Sequence, residues 1–248
     1  LIRQGVLLDR RGAYLYIAAG ALAAACRAAP PPLVPLPLAP VDRDAAIAWA
    51  RTTVPAHPTA VRFRWRYQDA QKRWGGRGQA RIAPPDSLRF DYVGPLGLGA
   101  GAAVVVGDSA IWADPEKNFR SLVPAVRMLW ASLGVVRPPA PDAAVFGEPG
   151  ADAGSGDRGT GGGGGLWRFV EGGDTLDYRE TRRDGRVLEA EWRRAGRVVA
   201  RSRTTLDARG LLASARVDFP KERARFELTV VAVDTAAVFD AAIWRSRR

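Results

Sequence analysis

Few of the 248 residues are of the kind that do covalent or metal chemistry. There is one His, one Cys and one Met, which leaves no His/Cys ligand set for zinc or iron and no nucleophile–base pair for acyl transfer. His57 stands between Pro55 and Pro58 in a segment that reads as a loop. Glu189 and Glu191 lie two apart, on one face of a strand, where paired carboxylates could share acid–base work. Their neighbours Asp177, Arg179, Arg193 and Arg201 suggest instead a surface ion-pair ladder. The glycine run 161–165 lacks the Lys-Ser/Thr and the strand-to-helix setting of a phosphate loop. The chain is therefore expected to bind rather than catalyse, with no metal and no organic cofactor.

The charge pattern narrows the partners. Lys and Arg together number 37 against 26 acidic residues, a net +11, and only Lys72, Lys117 and Lys221 are lysines. An arginine excess spread in this way, beside abundant Ala, Gly and Pro, reads as a coding bias. A nucleic-acid footprint requires a clustered patch, so no nucleic acid is expected.

One residue remains with a clear chemical role. Arg3, Arg10 and Arg11 precede an uncharged stretch, 12–25, which closes in Leu22-Ala23-Ala24-Ala25 directly before Cys26. This is the charged, apolar, small-residue order of an export signal. The apolar run falls short of the roughly 20 residues that span a bilayer. Prolines at 30–32, 35, 37 and 40 follow, an extended, semi-rigid spacer. The arrangement resembles a bacterial lipoprotein signal, in which the cysteine is acylated and becomes the mature N-terminus. Ala23 stands where leucine is usual, with Leu22 one place further back. The resemblance implies a signal peptide at 1–25, lipidation at Cys26 by chains such as palmitate, and a tether at 26–41. With Arg27 rather than aspartate after the cysteine, it further implies anchoring at the outer membrane, facing the periplasm. A structural cysteine in a short helix is the alternative.

The remaining sequence must supply a binding surface. Asp42 can cap a helix carrying Ala45, Ile47, Ala48, Trp49 and Val54, stopped by Pro55 and Pro58. The period then becomes two. In residues 61–67 Val, Phe, Trp and Tyr alternate with Arg62, Arg64 and Arg66, a strand with one buried and one wet face. Residues 74–82 keep that phase but place Gly76, Gly78 and Ala80 on the apolar side, which leaves room there. Strands at 88–92, 102–106 and 110–112 complete a five-strand meander. Residues 122–133 read as a helix, with Pro124 in the first turn and Gly134 past the end. The Gly/Pro-rich stretch 137–165 reads as a flexible insertion without packed elements. Six further strands, at 167–170, 176–181, 187–193, 198–206, 211–219 and 224–233, follow with Gly turns between several of them. The fold expected is mainly β (α+β): one domain at 42–244, a half-open antiparallel barrel of about 11 strands with helices covering its mouth.

The lipobox, the helix, the alternating aromatic strand, Pro84-Pro85-Asp86-Ser87-Leu88-Arg89-Phe90, the loop Gly94-Pro95-Leu96-Gly97-Leu98-Gly99 and the ending 233–239 together resemble the LolA/LolB superfamily of lipoprotein-sorting factors. The anchored receptor branch is the nearer of the two. The resemblance implies a membrane-anchored monomer that takes lipid or lipoprotein acyl chains, with a periplasmic lipoprotein carrier as partner, and places Leu96 and Leu98 on a membrane-delivery loop. Sheltering a sixteen-carbon chain from water is worth about 13 kcal/mol at about 0.8 kcal/mol per methylene, so a continuous apolar lining is needed. The candidates are Val61, Phe63, Trp65, Leu88, Phe90, Tyr92, Val104, Trp167, Phe169, Leu176 and Tyr178, with Gly76 and Gly78 giving room. The competing expectation is that these side chains fill a closed core and that the protein is an anchored structural or partner-binding scaffold.

Overall fold

The structure is a computed structural model that describes residues 32–34, 37–97, 99–114, 126–148, 165–182 and 185–245. Cys26 and the signal segment lie outside the described residues. The chain divides into two compact units, Leu1–Pro32 and Leu33–Arg248. Of the first, only Pro32 is described.

The second unit opens with helix α1, Arg43–Thr52, where the Asp42 carboxylate accepts from the Asp44 amide at 3.0 Å and stops an orphan donor of the first turn. Ala46 and Ala50 form its buried stripe. Five strands follow: β1 Thr59–Gln68, β2 Arg73–Ala83, β3 Ser87–Val93, β4 Ala100–Val106 and β5 Ser109–Asp114. Helix α2, Val126–Ser132, comes next. The remaining strands are β6 Ala144–Glu148, β7 Leu166–Glu171, β8 Asp174–Arg182, β9 Arg186–Arg194, β10 Arg197–Leu206, β11 Leu212–Phe219 and β12 Ala224–Asp234.

All twelve strands form one antiparallel sheet in the order β5-β4-β3-β2-β1-β12-β11-β10-β9-β8-β7-β6. The first meander joins the second through β1 and β12, which pair over most of their length with a bulge at Arg62/Phe63. The edges β5 and β6 remain separate, so the barrel is half-open. The fold class therefore agrees with the sequence reading, as does the placing of eleven of the twelve strands. The shortfall is one strand, β6, inside the segment read as unpacked. Asp142-Ala143-Ala144-Val145-Phe146 is too short and too close to Pro and Gly to show a period, yet Val145 pairs with Phe169 and is buried.

The proline-rich segment is also docked where it is described. Pro40 bridges to Phe146, and the Val41 amide donates to Val145. The Leu33 and Val34 carbonyls accept from Arg179 and Arg168. Val34 is fully buried. From Leu33 onward the described part of the expected tether thus lies along the sheet rather than extending from it.

Helix α2 sits on the concave face against β9, β10 and β11. Met128, Leu129, Trp130, Ala131 and Ser132 are all buried. Gly134 follows at φ +80, a left-handed conformation that favours glycine and ends the helix. The Thr204 hydroxyl donates to the Ala131 carbonyl at 2.8 Å, and the Thr53 hydroxyl accepts from the Val136 amide at 2.7 Å. Both helix ends are thereby fixed to the sheet and to each other.

Candidate functional site

The concave face has two parts with different chemistry. The first is a belt of rings across β1–β4. Register places Trp65 opposite Gly76, Phe63 opposite Gly78 and Tyr92 opposite both Gly78 and Gly101. The glycines are sockets for these rings. A Cβ on Gly78 would come within 2.6 Å of Phe63 Cζ and 2.7 Å of the Asp91 carbonyl. One on Gly76 would meet Trp65 Nε1 at 2.9 Å, and one on Gly101 would meet Tyr92 Cε1 at 2.6 Å. Phe63 stacks on Phe90 at 5.2 Å, and Trp65 meets Tyr92 edge-on at 6.1 Å. The room that Gly76 and Gly78 provide is taken by the protein's own rings.

Around β7 and β8 the same device recurs. A Cβ on Gly147 would meet Trp167 Cε3 at 3.2 Å. Trp167 stacks on Trp49 of α1 at 5.1 Å, and Tyr178 packs between Trp49 and Phe169. Burial pushes the Tyr178 hydroxyl well above its ordinary pKa.

The second part is the mouth, where the ends of α1 and α2 approach the start of β1, the end of β2 and the β10–β11 turn. A cavity of about 360 Å³ lies here. Val54, Val61, Ile82, Leu133, Leu212 and Val233 give it an apolar wall. Arg186 is the charged residue set deepest in it, its side chain 16% exposed. Next to Arg186, the Glu180 carboxylate is buried and accepts from Trp49 Nε1 at 2.8 Å and Arg182 Nε at 2.7 Å. Burial alone would raise the Glu180 carboxyl. The Trp49 hydrogen bond and the two guanidiniums outweigh it and hold the group below the ordinary carboxylate range.

Away from the mouth, Arg127 of α2 joins the two open flanks of the sheet. Its guanidinium bonds Asp108 of the β4–β5 turn at 2.7 Å and Glu171 at the end of β7 at 2.7 Å. Trp130 Nε1 donates to the Gly107 carbonyl of the same turn at 2.8 Å.

Of the residues singled out from sequence, Val61, Phe63, Trp65, Leu88, Phe90, Tyr92, Trp167, Phe169, Leu176 and Tyr178 are brought together in one buried cluster. Val104 is not among them. It pairs with Arg89, so it lies on the opposite face from Phe90 and Leu88, where Arg89 donates to Ile243 of the turn Ala241–Trp244. The run Ala-Gly-Ala-Ala-Val-Val-Val has no alternation from which its phase could be read. Leu96 lies by its backbone in the turn Pro95–Gly97, which the Gly94 amide closes by donating to Gly99 at 3.1 Å. Its side chain and Leu98 are outside the described residues. The ladder on the convex face is present: Glu189 pairs with Arg179 and Arg203, and Glu191 with Arg193 and Arg201. Glu191 and Asp177 are, however, fully buried within it.

Glu180 and Arg186 escaped the sequence reading, although a signal existed. Both fall in the inward phase of their strands, Glu180 after Leu176 and Tyr178, and Arg186 before Leu188, Ala190 and Trp192. A charge in an apolar phase is a buried-site signature. Among the described residues no group of three or more His, Cys, Asp or Glu could hold a metal, and no helix is long and apolar enough to cross a membrane.

No protein-family model and no curated protein matches the sequence. Comparison of folds is more informative. A LolA superfamily protein from Nitrosomonas europaea superposes with a TM-score of 0.51 at 10% identity, covering 83% of this chain and 98% of that one. A DUF1329 family protein from Desulfovibrio piger gives 0.50 at 10% identity, covering 82% and 95%. With a single half-open antiparallel sheet and two α-helices among the described residues, the chain has the fold of the LolA/LolB-like superfamily.

Proposed function

We propose that this protein is an envelope lipoprotein, anchored through acylated Cys26 at the outer membrane, that takes an acyl chain of a lipid or lipoprotein into its half-barrel and passes it to the membrane. The observation that carries this reading is the apolar cavity of about 360 Å³ at the mouth, between the ends of both helices. Sites of small hydrophobic ligands have volumes of roughly 300–1,000 Å³, an apolar wall and a few placed polar groups. The mouth has this character. The buried ring cluster forms the floor, and deeper entry of a chain requires α2 to move from β9–β11. The loop Gly94 to Gly99, with Leu96 and Leu98, is the delivery tip in this reading, and a periplasmic lipoprotein carrier is the donor.

A second reading rests on a specific observation. The sockets at Gly76, Gly78 and Gly101 are filled by Trp65, Phe63 and Tyr92, as in a closed core, which suits an anchored scaffold that binds a partner on its outer surface. Native mass spectrometry of the protein purified from its own envelope separates the two. Co-purifying lipid that added lipoprotein displaces supports the carrier. Absence of lipid, together with no uptake of a fluorescent fatty acid, leaves the scaffold. Cys26→Ala is expected to abolish palmitate labelling and membrane fractionation; unchanged behaviour would remove the anchor.

A further inference from the structure

We infer that the mouth cavity selects amphiphiles with one acyl chain and a terminal anion, a carboxylate or a phosphate, whose head is held by Arg186. This rests on the acyl-binding reading above and adds the class of ligand. The starting observation is a guanidinium with a donor to spare. Arg186 Nε makes an ion pair with Glu180 Oε1 at 2.7 Å, while its Nη2 is buried and has no hydrogen-bond partner among the described residues. Burying guanidinium donors without acceptors is costly, and native structures rarely leave it so without a use.

The local charge balance points the same way. Glu180 serves two guanidiniums, Arg182 at 2.7 Å and Arg186 at 2.7 Å, and also accepts from Trp49. One carboxylate for two cations leaves a net positive charge beside the cavity. On the rim, Arg209 is matched by Asp207 at 3.2 Å and adds nothing to that balance. His57 is exposed and belongs to the loop before β1. The rest of the wall is aliphatic at Val54, Ile82, Leu133 and Leu212 and carries Thr235 together with Thr52, Thr53 and Thr59, whose hydroxyls already donate to the Trp49, Ala50 and His57 carbonyls. An anionic head can supply the acceptors that Arg186 lacks, as a charge-assisted bond, while its chain lies on the aliphatic wall. A volume at the low end of the small-molecule range accommodates one chain rather than several.

The test uses the full chain and three probes of equal chain length: dodecanoate, dodecyl phosphate and dodecan-1-ol, titrated by calorimetry. The wild-type protein is expected to bind at least one anion ten or more times tighter than the alcohol. Arg186→Gln is expected to remove that preference by lowering the anions' affinity to about that of the alcohol, and Glu180→Gln is expected to increase the preference. Preference for the carboxylate alone identifies a fatty acid, and for the phosphate alone a lysophospholipid-like head. Equal binding of all three probes by the wild type, or a preference that survives Arg186→Gln, overturns the inference and leaves acyl binding standing. Failure of all three to bind overturns both. The wild-type comparison needs no variant, so it decides even where Arg186→Gln does not fold.

Discussion

The ring belt and the mouth share one concave surface, and they are built on opposite rules. In the belt, glycine opposes Phe63, Trp65 and Tyr92, so the space that a missing side chain creates is occupied at once by these rings. At the mouth, aliphatic residues just past the ends of two helices and on five strands converge, and about 360 Å³ remains between them. The belt also excludes charge, whereas beside the mouth Glu180 is buried and Arg186 half-buried in inward-facing phase. Apolar lining alone therefore does not identify a binding volume. A volume forms where flexible aliphatic walls meet helix ends, and rings seated on glycine make a rigid floor.

The sharpest way to break this contrast is to add a methyl group to the belt. Gly78→Ala forces a Cβ against the Phe63 ring and the Asp91 carbonyl, an overpacking expected to cost about 3 kcal/mol and to lower the melting temperature by about 10 °C. Phe63→Leu in the same chain is expected to recover part of that loss. Urea unfolding of both variants checks it, and an unchanged midpoint for Gly78→Ala would show that the belt is loosely packed.

Glu180→Gln comes next, with an expected loss of about 2 kcal/mol at neutral pH from weakened charge-assisted bonds to Trp49 and Arg182 and loss of the ion pair with Arg186. Because the folded carboxyl is held below its ordinary value, its contribution is complete above about pH 4.3 and is lost as pH falls through the folded value. Wild type and variant should thus converge in stability once the pH has fallen below that folded value. A gap that persists in acid would assign the effect to shape rather than charge.

Smaller in stability, but decisive for the mouth, is Leu212→Trp. Filling the cavity is expected to change stability by less than about 1 kcal/mol and to reduce acyl-chain uptake at least tenfold. The reverse outcome, lost stability with uptake intact, would place the ligand elsewhere.

Much of this architecture was legible from residue order. The Val-Arg-Phe-Arg-Trp-Arg-Tyr alternation gives the phase of β1, and the glycines at 76 and 78 fall in that same phase. Eleven of the twelve strands follow from such signals. β6 did not, because its pairing with β7 rather than its own composition makes it a strand. Val104 was placed on the wrong face because a uniformly small and apolar strand carries no phase. The ten other lining candidates with side chains are where the alternation put them, but whether they line space or fill it depends on ring seating and helix docking, which pattern does not encode. Glu180 and Arg186 were readable as charges out of phase and mark the mouth better than any hydrophobic residue does.

The central claim is that an acyl chain enters at the mouth while the belt stays packed. Photo-crosslinking with a fatty acid carrying a diazirine at its chain end, followed by peptide mapping, tests it directly. The account predicts labels around Val54, Ile82 and the segment Leu206 to Leu212, with Phe63, Trp65 and Phe90 unlabelled. Labels concentrated on those three rings would contradict it, and would mean that the belt opens to the ligand.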